Sequence, residues 1–235
     1  AALADFGRAI ELDDRYEWAI TRRGGLYQSL KRFDNAVKDF SRVIELGPPS
    51  VAILTRRGNL YQEMGQYEDA LADYTRAIEA SGNNIGVIVF RGRFYQEIGR
   101  YEEALADFSR AIELSPKDAW AINNRGRFYQ KLGRYEEALA DFDLAIEVNG
   151  NDIGPITNRG KFYQQIGKHE EALADFNRAV ELDANNEWLL AQRGLHYQEM
   201  GRHEEALADY SRMIELSDSK ARALVTRGRF FEKLG

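Results

Sequence analysis

The sequence has no cysteine, four prolines, three histidines and three methionines in 235 residues. Without cysteine there is neither a disulfide framework nor a thiolate metal site, and the redox compartment stays open. His169 and His203 lie 34 residues apart, too far to share an ion without a third ligand nearby. No apolar run reaches the length of about 20 residues that spans a bilayer, and no signal peptide opens the chain; a cytoplasmic location is favoured. A phosphate-cradling glycine loop and a nucleophile elbow are both missing. Carboxylate pairs such as Glu136-Glu137 recur at helix starts, not as an acid–base pair. The net charge of −6 gives nucleic-acid binding no electrostatic support. No enzyme activity, cofactor or metal is expected.

What is present is a period. Gly24, Gly58, Gly92, Gly126, Gly160, Gly194 and Gly228 stand 34 residues apart without insertion or deletion, the mark of a stacked-repeat solenoid. In the stretch 119–152, Ile122, Gly126, Tyr129 and Leu132, then Tyr135, Ala138, Leu139, Phe142, Ala145 and Ile146, recur at gaps of three and four. That spacing gives one buried stripe on each of two helices. Gly133 suits the left-handed residue that closes the first helix. Asp118 and Asp152, like Ser50, Asn84 and Asn186 in other units, suit N-caps. Gly126 and Ala138 are small where the helices should press together. Such a hairpin cannot bury its face alone and must stack on neighbours.

The unit resembles a tetratricopeptide repeat. Ile122, Gly126, Tyr129, Gly133, Ala138, Phe142 and Ala145 occupy that family's places, with Gly150 where a proline usually closes the unit; the proline survives as Pro48 and Pro116. Departures are mild: Lys31 for the turn glycine, Val43 and Met213 for the second alanine, Phe231 for the tyrosine. The Arg-Gly and Ala-Leu-Ala-Asp-Phe style resembles bacterial members. The resemblance implies an all-α, right-handed superhelical solenoid of helix–turn–helix hairpins that binds proteins or peptides in its concave groove. On this reading residues 1–235 form one array: a second helix in 1–16, full units 17–50, 51–84, 85–118, 119–152, 153–186 and 187–220, and a first helix in 221–235. Gly47-Pro48-Pro49-Ser50 is the firmest helix stop. Both ends leave apolar residues to be covered, Leu3, Phe6 and Ile10 at one and Leu224, Phe230 and Phe231 at the other. The expectation is a segment of a longer polypeptide, or self-association through uncapped ends.

By the same resemblance, the first helices line the groove. The groove-pointing residues of the 119–152 unit are then Trp120, Asn123, Arg127 and Gln130. Across units the candidate partner-binding set is Arg93, Arg127, Lys161, Gln62, Gln96, Gln130, Gln164, Asn123, Trp120 and Trp188. The glutamines offer an amide ladder to an extended backbone, or are a duplicated solvated position. The three cations suit an acidic segment, or pair with Glu97 or Glu63. The tryptophans, Trp18 included, serve as anchors or pack over the preceding unit. Family members that clamp a carboxyl terminus use Lys and Asn at set groove places; where Lys is wanted this chain has Thr21, Thr55, Val89, Asn123, Thr157 and Ala191, so that activity is not implied. An arginine precedes each repeated glycine, and Asp39, Asp73, Asp107, Asp141, Asp175 and Asp209 recur in the second helices; a register-fixing Arg–Asp ladder is expected. The reading is a protein- or peptide-binding scaffold without nucleic-acid or membrane partners. The alternatives are a regulatory segment of a multidomain signalling enzyme and an end-to-end structural array.

Overall fold

Five first helices begin on a side chain that accepts from their own first turn, whereas the helix that follows Tyr16 has no side-chain cap. Ser50 Oγ accepts from Ile53 N at 3.3 Å, Asn84 Oδ1 from Val87 N at 3.3 Å, Asp118 Oδ1 from Ala121 N at 2.8 Å, Asp152 Oδ1 from Gly154 N at 2.9 Å and Asn186 Oδ1 from Trp188 N at 3.1 Å. All five expected caps therefore satisfy an amide that the helix leaves orphaned. The second helices start on Arg32, Gln66, Arg100, Arg134, Lys168 and Arg202, which supply no side-chain cap. There Glu103, Glu137 and Glu205 pair with Arg100, Arg134 and Arg202 three residues earlier.

The computed structural model describes residues 1–48 and 50–234; Pro49, part of the expected helix stop, lies outside the described residues. Among these, fourteen helices and no strand are present. They are α1 (Ala2–Leu12), α2 (Glu17–Ser29), α3 (Phe33–Leu46), α4 (Val51–Glu63), α5 (Tyr67–Ala80), α6 (Ile85–Glu97), α7 (Tyr101–Leu114), α8 (Ala119–Lys131), α9 (Tyr135–Val148), α10 (Ile153–Gln165), α11 (His169–Leu182), α12 (Glu187–Glu199), α13 (His203–Leu216) and α14 (Lys220–Leu234). Packing divides the chain into two compact units, residues 1–115 and 116–235. The first holds α1 and the hairpins α2/α3, α4/α5 and α6/α7; the second holds α8/α9, α10/α11, α12/α13 and α14.

The turn within a hairpin requires a left-handed residue. Gly65, Gly99, Gly133, Gly167 and Gly201 have φ between 72° and 80°, and Lys31 is held at 56° in the first hairpin. Where the helices cross, a Cβ added to Gly58 would lie 3.0 Å from the Tyr74 ring, and one on Gly126 3.0 Å from Asp141 Cβ. Helix axes can come this close only without a side chain. Within each unit, rings pack between successive hairpins. Phe94 sits edge-on to Tyr67 and Tyr74, with centroids 5.7 and 5.6 Å away, and Phe162 stands 5.7 Å from Tyr135 and 6.0 Å from Phe142. Phe230 packs on His203 and Tyr210 and is only 2% exposed. It therefore does not contribute to an uncovered end, whereas Leu224 and Phe231 do remain exposed.

The Arg–Asp ladder is present and is bidentate. Arg23, Arg57, Arg91, Arg125, Arg159 and Arg193 donate through Nε and Nη2 to Asp39, Asp73, Asp107, Asp141, Asp175 and Asp209 of the same hairpin, at 2.6–2.8 Å. The aspartates are buried. The remaining Nη1 often reaches back one repeat. Arg57 meets Ser41 at 2.7 Å, Arg91 meets Thr75 at 2.8 Å, Arg159 meets Asp143 at 2.7 Å and Arg193 meets Asn177 at 3.1 Å. One guanidinium thus closes a hairpin and ties it to its predecessor. The bond to Asp107 outweighs burial and raises the Arg91 pKa above its ordinary value.

Candidate functional site

The open face of the first helices is narrower than the sequence suggests. Asn123 is 7% exposed, and its Oδ1 accepts from Asn158 Nδ2 of the next first helix at 3.0 Å. Val89 and Thr157, in the same register, are also buried. The helices α8 and α10 press together here, so Asn123 is a packing residue and not an open groove position. Trp120, Arg127 and Gln130 flank that contact, the first two exposed and Gln130 half-buried.

Arg93 and Arg127 are exposed and Lys161 is half-buried. Among the described residues none of the three has a carboxylate within the 4.0 Å of an ion pair. Lys161 Nζ instead lies 4.4 Å from the centre of the Trp188 ring. Burial, and then the neighbouring Arg127, lower the Lys161 pKa. Trp188 is about half exposed and carries this cation from the preceding repeat, while Trp18 packs edge-on against Phe6 of the preceding helix at 6.0 Å. Both tryptophans thus bridge repeats and still offer surface.

The glutamine ladder is largely occupied. Gln62 Nε2 donates to Glu97 at 2.6 Å, Gln130 Nε2 to Gln165 at 2.6 Å, and Gln164 Nε2 to Glu199. Each bond joins one first helix to the next. Gln96 lies half-buried on the same face of α6. The periodicity of these glutamines therefore reflects contacts between repeats.

In the first unit, Asn59, Gln62, Tyr74, Arg93, Phe94 and Glu97 line a cavity of about 120 Å³. Tyr74 provides the floor, its hydroxyl 2.7 Å from Asn59 Oδ1 and 3.0 Å from Gln62 Oε1. Tyr74 stands in the register of Phe142, a stripe residue of the 119–152 unit. The signal for its extra role is that Phe40, Phe108, Phe142 and Phe176 fill its place in four hairpins and only Tyr210 repeats it. His196 was likewise not singled out. It replaces a phenylalanine of the rings packed between hairpins, is fully buried, packs 5.4 Å from Phe176, and places Nε2 2.8 Å from the His169 carbonyl oxygen. Its surroundings are those of a core residue. Among the described residues no cluster of metal-ligating side chains occurs, and no helix is long and apolar enough to cross a membrane.

Models described as "Tetratricopeptide repeat" match residues 19–49, 51–84 and 119–152, and one described as "TPR repeat" matches 92–133 and 160–201. No curated protein matches the chain in sequence. Among solved structures, a tetratricopeptide repeat protein from Parabacteroides merdae is 24% identical; the match covers 91% of this chain and 85% of that one, with a TM-score of 0.66. The C-terminal part of a TPR repeat-containing protein from Cytophaga hutchinsonii is 16% identical, covering 95% and 92%, with a TM-score of 0.67. YrrB, described as a TPR protein with an unusual peptide-binding site, is 23% identical over 82% of this chain and 99% of its own, with a TM-score of 0.52. At these identities the likeness carries the fold, a solenoid of helical repeats. With repeat matches spread from residue 19 to residue 201 in a 34-residue register, the chain belongs to the tetratricopeptide repeat family.

Proposed function

We propose that the chain is an interaction scaffold whose first helices take acidic, extended segments of a partner protein. One observation carries this reading. Arg93, Arg127 and Lys161 hold the same register in successive first helices, and no ion pair neutralises them among the described residues. In a chain of net charge −6, cations left unpaired on the first helices mark where anionic segments are steered and held. The half-exposed Trp188 beside Lys161 adds an aromatic surface of the kind that anchors interfaces. The Arg57 and Arg91 type of arginine is not available for this role, since its aspartate is already bound. YrrB, a neighbour in fold, is described as having a peptide-binding site, which agrees with this use of the scaffold.

The reading is tested by panning a random peptide library on the wild-type chain and on a variant with Arg93→Glu, Arg127→Glu and Lys161→Glu. Peptides enriched on wild type are expected to be acidic and to bind the variant at least about 100-fold more weakly, as three rim charges reversed together would give. Equal binding to both proteins would remove the face from the account.

A further inference from the structure

The Tyr74 cavity has a counterpart four periods along the chain, with its charge changed. Gln198, Tyr210, Thr226, Arg229, Phe230 and Lys233 line a cavity of about 210 Å³ on α12, α13 and α14. They stand in the register of Gln62, Tyr74, Phe90, Arg93, Phe94 and Glu97. In the first cavity the lining includes one carboxylate, Glu97, which accepts from Gln62, and the Tyr74 hydroxyl has Asn59 and Gln62 within bonding distance. In the second, Lys233 replaces the glutamate and Leu195 replaces the asparagine. The Tyr210 hydroxyl is left with one long contact, 3.4 Å to Gln198 Oε1. Among the described residues neither Arg229 nor Lys233 has a carboxylate within 4.0 Å. Glu199, whose charge acts on Tyr210, already accepts from Gln164 of the preceding repeat. Burial, with Asp209 and Glu199 nearby, pushes the Tyr210 phenol up to about 12, so it stays protonated and able to donate at neutral pH.

We propose that this cavity is a carboxylate subsite, which holds an Asp or Glu side chain of the bound segment between Arg229, Lys233 and the Tyr210 hydroxyl. Two cations supply charge-assisted bonds, the phenol supplies a directed donor, and Phe230 supplies an apolar floor for the methylenes. The glutamate in the Tyr74 cavity makes that site a poor one for the same group, so the two sites differ in preference despite their common geometry. The inference rests on the reading of the first-helix face as the binding face.

The test uses the whole chain and a fluorescein-labelled hexaglutamate peptide, with hexaglutamine as the neutral control. Arg229→Gln is expected to weaken hexaglutamate about tenfold or more, and Tyr210→Phe about threefold, with hexaglutamine not binding. Tyr210→Phe keeps the fold testable, because four hairpins already carry phenylalanine at this place. Hexaglutamate that binds both variants as it binds wild type, and is weakened by Arg127→Gln, overturns the subsite and leaves the binding face standing. Hexaglutamate that fails to bind wild type also overturns the subsite. In that case panned peptides that still bind preserve the broader reading, and a chain that selects no peptide ends both.

Discussion

Asp107→Ala is expected to destabilise the protein by about 3 kcal/mol or more, the usual cost of removing one partner from a buried pair. Asp107 is 5% exposed and accepts two bonds from Arg91, at 2.8 and 2.7 Å. Its loss leaves a guanidinium 12% exposed, with the Thr75 hydroxyl at 2.8 Å still accepting from it. The pair differs in kind from the surface contact Arg8–Glu11, whose side chains are 70% and 66% exposed and which should contribute about 0.5 kcal/mol at most. Urea unfolding followed by circular dichroism separates the two cases. Asp107→Ala should shift the midpoint far more than Glu11→Ala; equal shifts would reduce the ladder to a decoration of the surface.

Gly160→Val should cost about 2–3 kcal/mol by overpacking. A Cβ there would stand 3.1 Å from the Phe176 ring and 3.2 Å from Asp175 Cβ. Neither neighbour can retreat: Phe176 is 1% exposed against His196, and Asp175 is fixed by Arg159. Gly228 holds the same register but has nothing within 4 Å of its added Cβ. Gly228→Val should therefore be close to neutral, as valine is also the better helix former. A comparable loss at both positions in thermal melts would show that the glycine matters through backbone freedom and not through the crossing.

Much of this molecule is written in its period. Any feature that recurs every 34 residues and serves one hairpin was legible: the turn glycines, the small residues at the crossing, the N-caps and the Arg–Asp pairs. Each is a local rule about a backbone conformation, an orphan amide or two helices at fixed distance. Contacts between hairpins were harder to see. The Nη1 partners Ser41, Thr75, Asp143 and Asn177 lie two residues after the ladder aspartates, but their chemistry varies while their geometry does not. Asn123 and Gln130 sit two turns apart along the same helix, yet the pressure of the neighbouring first helix buries the former. Helical periodicity alone fixes the face toward the partner helix of a hairpin, and it does not show where the next hairpin presses. The cations were legible as a row from Arg93 to Lys161. Arg229 was not, because Leu195 interrupts the series, and the pocket beneath it depends on a single phenol that reads as one more core ring.

The most direct test of the account is amide hydrogen exchange across the whole chain, with and without the tightest acidic peptide recovered by panning. The account predicts that exchange slows in the first helices α6, α8, α10 and α12, around Arg93, Arg127, Lys161 and Trp188, and changes little in the exposed turns of α7, α9 and α11. Protection confined to the second helices, or spread evenly over the chain, would contradict the assignment of the first-helix face as the surface that binds.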